Sequence, residues 1–342
     1  MFIILGLFKK KQSLAHAYPE LRSIKVRDIM IKDVFCIHRE DMLTHAAHTM
    51  IGAHISCLVV LEDYKPIGII TERDFIKKLN MVKGQPDELI VVDIMTKKLF
   101  TVDTHLDIFE AQRIMKNHNF RKLVIVEGGE LKGIITQTDL CRAVEHLTGL
   151  YPKAPLVRDH MTKKVLTVST DDKFLKAKNI MSSKDVGSVI IEDKGEIRGM
   201  FTEFDIVSEF FLNPNRLKNS YMKDLMTTPV VCVTPDFDLF EVNQFMLEHN
   251  FRRLPVVSEH KILGIITQTD IARGIYDYIE SHRDLVPDKK TKKPKEPKHV
   301  IKKWGSIIVY EKMPEKQAEK KPKKESEEES EEGSEEESKK EK

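Results

Sequence analysis

Apolar and polar positions along this chain follow a pattern that returns at a fixed interval. In the stretch "DIFEAQRIMKNHNF" the apolar residues Ile108, Ala111, Ile114 and Met115 fall at steps of three, three and one, which predicts an amphipathic helix. The nearly unbroken apolar run "KLVIV" comes next and predicts a strand buried on both faces. A polar turn, "EGGE", leads to a second apolar strand ending in "GIIT", with another helix expected to open at its threonine. A short turn ending in methionine and a brief β-branched strand, "KLFTVD", precede all of this. One unit therefore reads β-α-β-β-α.

The unit is written four times. "GIITERD" starts at Gly68, "GIITQTD" at Gly133 and again at Gly264, and "GMFTEFD" at Gly199, giving intervals of 65, 66 and 65 residues. A second marker keeps the same interval: Asp28-Ile-Met30, Asp93-Ile-Met95, Asp159-His-Met161 and Asp224-Leu-Met226. Two independent markers at one period establish a repeat. A shift of 131 residues lays His118 to Asp139 over His249 to Asp270, while units one and three share T-E-x-D. The working module is thus a pair of units, copied as a pair.

Composition agrees with a folded core. Of 342 residues, 41% are hydrophobic and 32% charged, which is globular rather than disordered material. Formal net charge is only +2, so the whole molecule has no global attraction for nucleic acid or anionic membrane. Cys36, Cys57, Cys141 and Cys232 form no CxxC pair, and the spacing predicts buried, reduced thiols and a cytoplasmic protein. The apolar start "MFIILGLF" falls far short of the ~20 residues a membrane helix needs, and its basic run follows instead of leading as in a secretory signal.

Charge is segregated at the far end. Lys289 to Lys324 carries 14 Lys against 4 Glu, and Glu325 to Ser338 carries 9 Glu and no Lys. Such blocks predict a disordered interaction tail. Within it, residues 299–313, "HVIKKWGSIIVYEKM", hold the only Trp and a strand-like run from Ser306 to Tyr310, and are expected to dock on the folded core or on a partner. Trp and Tyr flanked by Lys also leave a nucleic-acid contact open.

Each repeat closes with Thr and, three residues on, Asp: Thr71 and Asp74, Thr136 and Asp139, Thr202 and Asp205, Thr267 and Asp270. Two readings stand side by side. The pair forms a variant capping box that satisfies free amides at a helix start, or the helix mouth attracts phosphate through its unpaired N–H groups and partial positive charge. The basic pairs Arg121-Lys122 and Arg252-Arg253 stand before the buried strands of units two and four, whereas units one and three have Ile55-Ser56 and Gly187-Ser188 there. His45, His48 and His54 lie in the first helical region of unit one without an evident third ligand of metal-site spacing. No nucleophile elbow, phosphate loop or HExxH motif occurs.

The opening "D-I-M", the "(F)R-x-L-P-V-V" strand and the closing "G-I-I-T-x-x-D" resemble the cystathionine-beta-synthase (CBS) domain, over about Val26 to Glu280. The resemblance implies an α+β fold of four tandem repeats paired into two Bateman modules, each packed sheet to sheet about a pseudo-two-fold axis, with the charged tail disordered. Expected boundaries are a lead-in segment at 1–22, one module at 23–148 with repeats near 26–83 and 91–148, and a second at 149–284 with repeats near 157–214 and 222–280. The charged tail fills 285–342. Whether the modules face each other in one chain or dimerise stays open.

The resemblance further implies a cleft for an adenosine nucleotide, AMP, ADP or ATP, as a regulatory ligand with no obligatory cofactor. In it Asp74, Asp139, Asp205 and Asp270 would hold ribose hydroxyls. Thr71, Thr136, Thr202 and Thr267, with Arg121, Lys122, Arg252 and Arg253, would hold phosphate. Val165 and Val230 are candidate adenine contacts, although a buried core strand explains them equally. IMP dehydrogenase carries such a pair inside a catalytic barrel of ~250 residues, for which this chain has no room, so a non-catalytic sensor acting on an unidentified protein partner is expected. An adaptor recruiting through its charged tail, or a sensor of S-adenosylmethionine or a cyclic dinucleotide, is the alternative.

Overall fold

A computed structural model describes residues 20–78, 88–149, 153–212, 219–259, 261–283, 299–304 and 307–312, the last two spans as backbone. The expectations for the lead-in before residue 20 and for the remainder of the charged tail concern residues outside these spans. In unit one, helix α1 (Val26–Ile29) precedes strand β1 (Cys36–His38), helix α2 (Leu43–Gly52), strands β2 (Cys57–Glu62) and β3 (Lys65–Thr71), and helix α3 (Glu72–Lys78). Unit two runs α4 (Val91–Ile94), β4 (Thr101–Asp103), α5 (Ile108–His118), β5 (Lys122–Glu127), β6 (Glu130–Thr136), α6 (Gln137–Ala143). Unit three runs α7 (Val157–His160), β7 (Thr167–Ser169), α8 (Phe174–Lys184), β8 (Ser188–Asp193), β9 (Glu196–Thr202), α9 (Glu203–Leu212). Unit four runs α10 (Met222–Leu225), β10 (Val230–Val233), α11 (Leu239–Glu248), β11 (Arg253–Ser258), β12 (Lys261–Thr267), α12 (Gln268–Ser281).

Local chemistry sets these bounds. Helix α5 starts where the Asp107 carboxylate accepts from the amides of Phe109 and Glu110, and stops where Asn119 turns left-handed at φ 55°. In each sheet the first strand lies parallel to the second, and the second antiparallel to the third. An irregularity in the second strand recurs beside the partner of each repeat glycine: Val60, Ile125, Ile191 and Val256 pair with Gly68, Gly133, Gly199 and Gly264.

The first short helix of every unit crosses to its partner in the pair. The amide of Val26 donates to the carbonyl of Leu106 in unit two, and that of Val91 returns the bond to Asp41 of unit one. Val157 donates likewise to Phe237, and Met222 to Asp172. The chain then bridges to the partner's third strand, with Ile31 opposite Ile134, Thr96 opposite Ile69, Thr162 opposite Ile265 and Thr227 opposite Met200.

This exchange explains why both markers keep one period. A β-carbon placed on Gly133 would stand 2.6 Å from the sulfur of Met30 and 2.8 Å from the carbonyl oxygen of Ile31. Gly68 meets Met95, Gly199 meets Met226 and Gly264 meets Met161 in the same manner. Glycine is needed for the close approach of a neighbouring backbone, not for a special φ.

Within each module the sheets pack face to face, through Val59, Val124 and Ile134 in the first and through Ile190, Met200, Val230, Cys232 and Val257 in the second. The two modules then meet through their helices within this one chain. Unit two joins unit four in a large apolar core in which Phe109 lies edge-on to Tyr276 at 5.0 Å, the Tyr276 hydroxyl donates to the Leu140 carbonyl, and the Asn243 amide donates to the Cys141 carbonyl. Unit one joins unit three where Phe75 lies edge-on to Phe211 at 5.4 Å.

One expectation changes, that of the cysteines. Cys36 is exposed, because β1 is a three-residue edge strand whose alternate positions face solvent; Cys141 and Cys232 are buried as read. The strand-like run in the tail is one half of a hairpin, β13 (His299–Trp304) and β14 (Ile307–Lys312), and β14 lies parallel to β10, extending the sheet of unit four to five strands.

Gly133→Ala should therefore lower stability by about 1–3 kcal/mol, the cost of overpacking a filled site. Gly52→Ala, where an added β-carbon meets nothing within 4 Å, should be neutral or mildly stabilising. Urea unfolding of the two variants checks this, and equal midpoints would remove the packing role given to the repeat glycines.

Candidate functional site

Each closing Asp caps its helix. The Oδ2 atoms of Asp74, Asp139 and Asp205 accept from the amide and the hydroxyl of Thr71, Thr136 and Thr202 at 2.8 and 2.7 Å, and that of Asp270 accepts both from Thr267 at 2.9 and 2.6 Å. An ionised carboxylate only accepts, so all four Thr hydroxyl protons are committed to it. That leaves the threonines able to accept from a ligand but not to donate to phosphate.

The second carboxylate oxygens differ. Oδ1 of Asp74 accepts from Thr96 at 2.8 Å and pairs with Lys78 at 2.7 Å, and Oδ1 of Asp139 faces Arg142 at 3.3 Å. The same atoms of Asp205 and Asp270 carry no hydrogen bond among the described residues. Burial raises the carboxyls of Asp139, Asp205 and Asp270, with the bonds from their threonines pulling them back only in part.

The bases before the buried strands converge on the junction of all four units. Lys122 of unit two crosses its cleft to the Ser56 carbonyl and hydroxyl at 3.3 and 2.9 Å. In the second module Arg253 crosses to unit three, where a β-carbon on Gly187 would stand 2.8 Å from its Nη1. Ser56 thus accepts from the base of its partner repeat and Gly187 leaves room for one, whereas the sequence shows both only as missing bases. Val165 and Val230 belong to the apolar cluster between the sheets of the second module, Val230 being only 4% exposed.

At the junction stand residues that the motif reading passed over. The residue after each closing Thr, at the head of each last helix, points inward: Glu72, Gln137, Glu203 and Gln268 are all buried. Glu203 accepts from Arg73 Nε of unit one and from Arg121 Nη1 of unit two, both at 2.9 Å, with the guanidinium of Arg253 of unit four alongside. Burial pushes its carboxyl up, but Arg121, Arg73 and Arg253 outweigh burial and hold it at about 2. Glu72 has the equivalent place in unit one, with Arg252 at 4.0 Å; burial prevails there and its carboxyl is raised. The signal available in the sequence was the "T-E" shared by units one and three.

His54 stacks on Phe204 of unit three at 5.6 Å, whereas His45 and His48 are exposed on α2. No group of three or more His, Cys, Asp and Glu with metal-site geometry occurs among the described residues. No helix among them is long and apolar enough to cross a membrane.

A family model, the CBS domain, matches residues 26–80, 91–146, 157–211 and 222–277. Protein MJ1225 of Methanocaldococcus jannaschii is 30% identical over 192 residues, covering 52% of this chain and 68% of that protein. Protein MJ1404 of the same organism is 27% identical over 288 residues, covering 77% of this chain and 66% of that one. The crystal structure of MJ1225, described as proposed archaeal homologue of the gamma subunit of AMP-activated protein kinase, superposes with a TM-score of 0.67 at 21% identity over 73% of this chain and 99% of that one.

Because the Glu203 carboxyl is held below its ordinary 4.5, at about 2, its contribution to stability is complete above 4.5 and disappears as pH falls toward 2. The contribution is on the order of 3 kcal/mol. Wild type should lose roughly that much more stability over this window than Glu203→Gln, measured by urea midpoints at stepped pH; parallel curves would show that the carboxylate is not held by the three arginines.

Proposed function

The chain belongs to the CBS-domain family of regulatory proteins, and on that footing we propose that it is a non-catalytic sensor of adenosine nucleotides, acting from the cytoplasm on a protein partner. The observation that carries the reading is the state of the closing carboxylates. Asp205 and Asp270 are fixed at a helix mouth by one oxygen and keep the other available to ribose hydroxyls. Arg252 and Arg253, with Arg121 and Lys122, supply donors for phosphate from the junction, where a planar guanidinium suits an oxyanion. The description given to MJ1225 supports the choice of an adenosine ligand.

The second module is the competent one in this reading. In the first, a ligand at Asp74 competes with Thr96 and Lys78 for the same oxygen, and one at Asp139 competes with Arg142. Ligand acts by favouring one arrangement of the paired modules, since only differential affinity shifts such an equilibrium.

Calorimetry on the full chain with AMP, ADP and ATP should show binding that Asp205→Ala or Asp270→Ala weakens about tenfold or more, the size of one or two hydrogen bonds to a charged group. Asp74→Ala should leave it within about twofold, for want of a free oxygen to lose. No heat with any adenine nucleotide at millimolar concentration, with an unchanged Tm, would sink the reading. Heat with S-adenosylmethionine or a cyclic dinucleotide in its place would move it to another adenosine ligand.

A further inference from the structure

Four cations, Arg121, Lys122, Arg252 and Arg253, face two carboxylates, Glu72 and Glu203, at the junction of the four repeats, an excess of two positive charges. Arg73 adds a fifth cation but also pairs with Asp185 at the rim, at 3.1 Å, where Lys77 joins the same carboxylate. Cations converging on one place in excess of their carboxylates attract an anion, against the screening of the solvent that reaches them. Access exists, because the side chains of Arg121 and Arg252 remain 42% and 49% exposed.

The carboxylates do not share the load equally. Glu203 is almost wholly enclosed and is bonded on both oxygens, Oε1 by Arg73 and Oε2 by Arg121. In the copied unit the place of Arg73 is taken by Phe204, so Glu72 receives no such bond and its Oε1 is buried without a hydrogen-bond partner. At the head of the equivalent helix of unit two, Gln137 is 4% exposed and has neither its amide nitrogen nor its oxygen bonded. A buried, unsatisfied carboxylate oxygen 4.0 Å from the guanidinium of Arg252 marks an arrangement open to a further polar ligand.

We propose that Glu203 is a resident anion that holds the phosphate-directed arginines in the absence of ligand, and that a phosphoryl group binds at this junction by displacing it. The inference rests on the reading that the clefts receive a phosphorylated ligand, and it adds what that ligand must compete against. A phosphoryl group carries more charge and more acceptor oxygens than one carboxylate, so it takes Arg121 and Arg253 from Glu203. Glu203 belongs to unit three, Arg73 to unit one, Arg121 to unit two and Arg253 to unit four. Their separation alters a contact common to both modules, which gives ligand in one module a route to the other.

The test measures binding of inorganic pyrophosphate, ADP and adenosine to the full chain by calorimetry in wild type, Glu203→Gln and Glu203→Asp. Glu203→Gln should bind pyrophosphate and ADP about tenfold more tightly than wild type, and adenosine unchanged. Glu203→Asp keeps the charge but draws it back by one methylene; it should show a smaller gain in the same direction, and it serves if the glutamine variant does not fold. Unchanged or weakened pyrophosphate binding in whichever variants fold overturns the proposal, even where ADP binds normally. A gain for pyrophosphate with no binding of ADP or adenosine supports the proposal while removing the adenosine reading.

Discussion

A glycine pressed by a methionine from the neighbouring repeat is the contact on which the rest of the structure depends. The exchange of short helices puts Met30 on Gly133 and Met95 on Gly68, so neither repeat of the first module is complete without the other, and Met161 and Met226 do the same for the second. The bridging backbone beside each methionine then fixes where the third strand ends, and hence where its threonine, its inward-facing Glu or Gln and its capping Asp are placed. Each candidate site is downstream of a packing contact several residues away.

Much of this was legible in the sequence and some was not, for one physical reason. Periodicity reports which residues are equivalent, and it is blind to which copy touches which. Gly133 and Met30 announce themselves as markers, but nothing in a period of 65 or 66 says that they meet. Arg121 and Arg253 were readable as bases aimed at an anion, yet the anion that Arg121 holds is Glu203, which lies 82 residues further on in another module. The Thr and Asp of each closing motif could be read as cap or as site, and the capping half is visible in all four. Cys36 departs from the expected burial because spacing that excludes metal and disulfide pairing says nothing of a three-residue edge strand, which exposes alternate side chains.

Equivalent positions have acquired different physics. Thr96 ties down Asp74 across the cleft of the first module, while Ile31, its counterpart in unit one, has no hydroxyl to offer Asp139. Glu72 and Glu203 occupy the same place in duplicated modules, yet one substitution between them, Arg73 for Phe204, helps hold one carboxyl low and leaves the other raised. The fold keeps the backbone symmetric, and the charged side chains at the centre break that symmetry.

The hairpin on unit four has a consequence for what the outside of the molecule offers. Strand margins bearing unmatched amides and carbonyls are templates for any extended peptide. Among the described residues the margins at β1, β4 and β7 have no neighbour beyond the three-stranded sheet, whereas β10 is already lined by the chain's own backbone. Four near-copies of one domain thereby become distinguishable from without: a visitor meets three vacant berths and one taken.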